Sequence, residues 1–406
     1  MKIVVAAVSS NLCMSGVSRH AANLVRSLLT RPEVSALHVL VAEWEHKYVS
    51  EAIRRTDPRL HIHAVPLRPG NLSRNLWYYR TLPAIAAQLR ADIVHLAYPS
   101  PIPKQAFPCP VITTLHDLYP YAIPSNFGFP KVYVNRMILN QCLRNAEAVA
   151  CVSESTRSQL GKRMPRALAK AVTVNNCIET EAIALRPSFA MNWGDTPFLL
   201  CVAQHRRNKN ILVALGAFKS LLLNGAVESN MHFVLIGRSG PETTRIEKFI
   251  HASGISKNVV LVSGISDAEM NWCYRSCELL VAPSIVEGFG LPVAEGLTAG
   301  CRIVCSDIPA FREIGGSTCR FVQLATNAER DFADAVIEAL GKRRPLPVQL
   351  PHLSPATVGE QYLRLYRTTL NSYRSLMSSP VSARGSAGEK ASAESKGAAT
   401  PTGVQS

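Results

Sequence analysis

With 406 residues, 47% of them hydrophobic and 18% charged, the chain has a globular composition and a length suited to two or three domains. Its net charge of +15 is uneven: residues 1–190 carry 22 Lys and Arg against 11 Asp and Glu, which points to an anionic partner for that half, a membrane surface or a phosphate-bearing substrate. Excluded are nucleic acid as a partner, since no recognition motif is present, a membrane-spanning helix, since no apolar run reaches roughly 18 residues, and a metal centre, since the 11 cysteines lack ligand spacing and read as buried free thiols in a reducing cytoplasm.

The apolar N-terminus, residues 2–8, reads as a buried first strand rather than a signal peptide. A helix over 18–29 follows, with Ala22, Val25, Leu28 and Leu29 on one face. Strands at 37–41 and 61–65, a helix over 77–89, and strands at 93–96, 111–115 and 148–152 come next. Ser153 or Ser155 caps a helix starting over 153–160, and a strand at 171–174 ends this series. Residues 178–197 lose the pattern and carry Pro187, Gly194 and Pro197, which marks a linker. The second series runs strand 198–202, helix 211–223, strands 232–236 and 259–262, helix 267–275, strand 279–282, helix 292–299 and strand 302–305. Residues 357–376 form a last amphipathic helix through Tyr362, Leu365, Tyr366 and Leu370, and 378–406, without an aromatic residue, reads as a disordered tail. Strands alternating with helices imply an α/β fold of two doubly wound, Rossmann-like domains, 1–177 and 198–355, facing a cleft; the helix at 356–377 is expected to cross back to the first.

The densest chemistry lies in 282–300. A strand ends near Pro283, Pro292 sits where a helix begins, and Gly300 stops that helix. The backbone N–H groups around Phe289 and Gly290 then face outward from a helix N-terminus, a setting for an anion such as a diphosphate, and Gly288 and Gly290 let the backbone approach it. Glu287 and Glu295 bracket this site and suit sugar hydroxyls better than phosphate. Arg206, Arg207 and Lys209 follow the strand at 198–202 and offer cations for a leaving diphosphate. Residues 11–20, with Gly16, follow the first strand; they are not GxGxxG, which argues against a dinucleotide. His116 and Asp117 end the strand at 111–115 and point into the cleft, with Asp117 expected to orient the loop.

Glu287 to Glu295 matches the E-x7-E motif of retaining glycosyltransferases with two Rossmann-like domains. The run PSIVEGFGLPVAEGLTAG, followed by CRIVCSDIPAFREIGG, closely resembles glycosyltransferase family 4, and the likeness extends over nearly residues 1–376. The resemblance implies the two-domain GT-B fold, with acceptor bound by the first domain and nucleotide sugar by the second. It implies that Glu295 binds the ribose, that Glu287 contacts the donor sugar, and that Gly288, Phe289, Gly290 and Leu291 hold the diphosphate. Lys209 matches the family's lysine on that diphosphate and Arg206 or Arg207 its arginine, with Arg207 taken as catalytic; Gly16 matches its glycine loop and His116 its histidine beside the reacting sugar.

The reaction so implied moves a hexosyl group with retention from a nucleotide diphosphate sugar to a glycan or lipid-linked saccharide, in cell-surface polysaccharide or glycolipid synthesis, without cofactor or metal. The HDLYP stretch at 116–120 leans toward mannosyl transfer. A non-catalytic nucleotide-sugar-binding scaffold is the alternative; it would keep Glu295 and lose Lys209 and His116. The expected location is cytoplasmic, peripheral on the inner face of the plasma membrane. Residues 72–82 mix Arg74 and Arg80 with Leu76, Trp77, Tyr78 and Tyr79, which suits a membrane interface or, equally, places the aromatic residues in the core.

Overall fold

The computed structural model describes residues 1–10, 16–53, 56–103, 105–179 and 183–378. The first half holds seven parallel strands, β1 (Lys2–Ala6), β2 (Ala36–Ala42), β3 (Leu60–Val65), β4 (Ile93–Leu96), β5 (Val111–Leu115), β6 (Ala148–Cys151) and β7 (Ala171–Thr173), in the order β3-β2-β1-β4-β5-β6-β7. The second holds six, β8 (Phe198–Val202), β9 (His232–Ile236), β10 (Val259–Val262), β11 (Leu279–Ala282), β12 (Ile303–Ser306) and β13 (Arg320–Val322), in the order β10-β9-β8-β11-β12-β13. Central strands such as Ile93-Val94-His95-Leu96 and Leu279-Leu280-Val281-Ala282 are buried throughout, as strands covered by helices on both faces must be. The order reverses between β1 and β4, and between β8 and β11, so each sheet has a crevice outside the carboxyl ends of those strands.

The helix Pro355–Ser378 packs against the helix Gly16–Leu29, and its Tyr362 and Tyr366 are fully buried in the core of the first half. His95 on β4 hydrogen-bonds the Tyr366 hydroxyl at 2.6 Å. Ser153 is the N-cap of the helix Glu154–Arg163, accepting from the Thr156 amide at 3.0 Å.

Some elements differ from the sequence reading. The helix expected over 77–89 begins earlier, as Asn71–Leu76, widens through a π turn at Trp77–Thr81 and ends as Leu82–Gln88. Within it Trp77 and Tyr78 are buried, Tyr78 donating to the Val8 carbonyl at 3.2 Å; large aromatic surface with a satisfied hydroxyl belongs in the core. Of the residues expected at an interface there, Leu72, Leu76, Tyr79 and Arg80 remain exposed. The helices Lys131–Asn145 and Ala328–Leu340 were not legible. The first spreads exposed Tyr133, Val134 and Met137 beside buried Leu139 and Leu143, which blurs the apolar stripe. The second buries mainly alanines, which give little signal. The tail expected at 378–406 lies, from 379 on, outside the described residues.

Candidate active site

The loops after β8 and β11 carry the charged groups that the second half brings to the cleft. After β8, a 3-10 turn at Arg207–Lys209 ends on Asn210 in the left-handed region (φ 51°), a conformation asparagine tolerates. Residues three apart share a side of such a turn, so Arg206 and Lys209 both line the cleft. Arg207, expected to be catalytic, points to solvent instead and does not line it. Lys209 Nζ donates to Glu287 Oε1 at 2.5 Å; that oxygen also accepts from Ser284 Oγ at 2.6 Å, and Glu287 Oε2 accepts from Tyr119 OH of the first half at 3.1 Å. Three donors satisfy a carboxylate that is 9% exposed.

After β11 the chain turns into the helix Leu291–Thr298 through Gly290, whose φ of 107° only glycine adopts readily. Gly288 has a different reason to be glycine. A Cβ there would fall 1.6 Å from the His116 carbonyl oxygen, which belongs to the other half. The Gly288 carbonyl accepts from Thr156 Oγ1 at 3.0 Å and from Ser153 Oγ, so the loop after β11 is clasped by the first half on two sides. A further clasp joins the Glu313 carboxylate to the amides of Glu154 and Ser155, at 2.9 and 3.0 Å.

The first half contributes two imidazoles. His116 Nε2 bonds the Ala97 carbonyl at 2.8 Å, an oxygen that can only accept, which leaves Nδ1 as an acceptor. His20 stands edge-on to it, ring centroids 4.6 Å apart, with Nδ1 on Asn176 Oδ1 at 2.8 Å and a buried Nε2 without a partner among the described residues. Burial lowers the pKa of both below the ordinary histidine range, so both are neutral at pH 7 and suited to bonding hydroxyls. Burial also pushes the Asp117 carboxyl up to about 6, against the Tyr119 amide it accepts at 2.9 Å.

Glu295 sits one turn into its helix. Tyr274 OH donates to its Oε2 at 2.7 Å, and burial raises its pKa against the opposing pull of Arg19 and that tyrosine. Arg19, from the first half, forms an ion pair with Asp267 of the second. Burial opposes its charge, but Glu295 and Asp267 outweigh burial and hold it above the usual arginine range. Glu45 accepts from the Ser9 amide at 3.0 Å and Ser18 Oγ at 2.8 Å, tying down both ends of the loop that leads to Gly16. Residues 11–15 of that loop lie outside the described residues.

Between the halves is a cavity of about 490 Å³, within the range of small-molecule sites. Gly16, His116, Arg206, Lys209, Glu287, Gly288, Phe289, Gly290 and Leu291 all line it; Glu295 does not, and lies on the Arg19 side. Residues 14–182 match the model for glycosyltransferase family 4, and residues 188–350 that for glycosyl transferases group 1.

The chain belongs to glycosyltransferase family 4. It is 22% identical over 333 residues to the O-antigen chain mannosyltransferase B of Escherichia coli, covering 78% of this chain and 85% of that one. Its fold is that of WaaG, a glycosyltransferase involved in lipopolysaccharide biosynthesis, with a TM-score of 0.65 at 15% identity over 93% of this chain and all of that one. The Anabaena protein HepE, solved with UDP and glucose, gives a TM-score of 0.63 at 14% identity, over 93% and 99% of the two chains. The glycosyltransferase thus has the two-domain GT-B fold.

Sequence reasoning missed Arg19, His20, Tyr119, Asn176, Asp267 and Tyr274. A signal existed for Arg19 and His20, which open the helix that follows Gly16; Tyr274 and Asp267 carry none, because their partners lie 21 and 248 residues away.

Proposed function

We propose that this glycosyltransferase moves a hexosyl group, mannosyl by preference, from a nucleotide diphosphate sugar to a glycan or lipid-linked saccharide, with retention and without a metal or other cofactor. One observation carries the reading: Arg206, Lys209 and the helix N-terminus at Gly290 meet on one cavity with Glu287 and the His116–His20 pair. The cations and backbone amides suit a diphosphate, and the carboxylate and imidazole acceptors suit sugar hydroxyls. The bond from the anomeric carbon to the diphosphate breaks as the acceptor hydroxyl attacks on the same face, and the leaving phosphate takes the hydroxyl's proton. Lys209 and Arg206 neutralise the charge that grows on that phosphate. The preference for mannose is supported by the Escherichia coli relative, and a diphosphate nucleotide by the UDP bound to HepE.

Glu295→Ala tests the donor site. Losing an acceptor for the ribose hydroxyls costs about 1.5–3 kcal/mol, so the dissociation constant of the nucleoside diphosphate, read by calorimetry, should rise at least about tenfold. An unchanged constant rejects the assignment.

The enzyme is further proposed to dock on an anionic cytoplasmic membrane face, in cell-surface polysaccharide or glycolipid synthesis. No helix among the described residues is long and apolar enough to cross a membrane. Exposed Phe129, Tyr133, Val134 and Met137 stand beside Lys131 and Arg136, an apolar and basic combination suited to an interface. Co-sedimentation should need anionic vesicles and weaken with added salt, at roughly 1 kcal/mol per basic residue engaged; intact protein that ignores anionic vesicles at low salt rules docking out.

A further inference from the structure

A second cavity, of about 650 Å³, opens between the edge strand β3 and the helical segment 71–89. Its walls include Leu40, Val65, Leu67, Leu76, Ile85 and Leu89. Leu67, Ile85 and Leu89 stay only partly buried, and Leu76 is 46% exposed, although the core beneath them is closed. Apolar surface so arranged gains by being covered. The widened turn at Trp77–Thr81 forms part of the wall, with Thr81 exposed at the groove.

The groove lies next to the cleft. Ser73 lines the groove and the adjacent Arg74 lines the catalytic cavity, where its guanidinium lies 5.7 Å from the Tyr98 ring centre. One helical turn therefore separates the two. Arg68, Arg74 and Arg80 lie along this segment, and residues 58–91 contain no acidic residue. The wall is mostly apolar, with His63, Ser73, Thr81 and Gln88 as its polar side chains, so it suits an aliphatic chain, and the surrounding charge favours an anionic headgroup.

We propose that the groove takes the hydrocarbon chain of an amphiphilic acceptor whose phosphate lies against Arg74 while its saccharide enters the cleft. This rests on reading the cleft as a transferase site with a lipid-linked acceptor. The probes are butyl, octyl and dodecyl phosphate, each below its micellar concentration, so that no bilayer is present. Affinity should rise with chain length, by up to about fourfold per added methylene until the groove is full. Thr81→Trp, which fills the groove from an exposed position, should weaken dodecyl phosphate by about tenfold, the worth of fewer than two buried methylenes, and leave butyl phosphate unchanged. Arg74→Ala should weaken all three alike. Equal affinity for short and long chains, a Thr81→Trp variant that binds dodecyl phosphate normally, an Arg74→Ala variant with unchanged affinities, or binding to vesicles only, overturns the proposal. Nucleoside diphosphate binding is measured on the same samples. If it is intact while chain length has no effect, the groove assignment alone falls; if it is absent from the unaltered protein, the transferase reading falls.

Discussion

Gly288→Ala is expected to lower turnover by at least about 100-fold while leaving both halves folded. The added methyl would sit 1.6 Å from the His116 carbonyl oxygen, where a carbon and an oxygen in contact need about 3.3–3.6 Å. Backbone cannot swing aside as a flexible side chain does, so the halves must part by nearly 2 Å. The bonds from Ser153 and Thr156 to the Gly288 carbonyl would then lengthen, and His116 would move away from the loop after β11. The clash lies between the halves rather than within either core, so the melting temperature should change little. The nucleoside diphosphate, proposed to be held mainly by the second half, should bind within a few-fold of normal. Steady-state kinetics with calorimetry separates these effects: near-normal turnover would show that this approach of the halves is not the reacting state.

Lys209→Ala should lower kcat by about 100- to 1,000-fold, the range for removing one preorganised group facing developing charge. Binding should suffer less, because the charge on the diphosphate grows as the glycosidic bond breaks. The lysine also satisfies Glu287, so its loss leaves a buried carboxylate with only Ser284 and Tyr119 as donors. The double variant with Glu287→Gln removes that unpaired charge. It should recover stability without recovering turnover, whereas normal kcat in either variant would mean that the lysine serves only the carboxylate.

Much of this arrangement was legible because 282–300 packs a strand end, two glycines, a proline and a helix start into one stretch, so Glu287 and the Gly288–Gly290 loop could be read locally. Choosing between Arg206 and Arg207 could not: it depends on the 3-10 turn that pairs Arg206 with Lys209 and sends Arg207 to solvent. The same limit applied to Trp77 and Tyr78. Aromatic and basic residues in alternation fit a surface or a core, and the π turn that aims these two inward leaves no mark in composition. The Arg19–Asp267 pair joins residues 248 apart, a proximity set by how the halves meet.

The helix Pro355–Ser378 has a consequence for how the molecule is made. Its Tyr362 and Tyr366 fill the core that includes β1, so an earlier part of the chain is completed by a part made after the whole second sheet. The sheet from β8 to β13 draws on one continuous stretch and has all its strands by residue 322. During synthesis the usual order is inverted: the second half can settle while the first still waits, its apolar face uncovered, for the residues that close it.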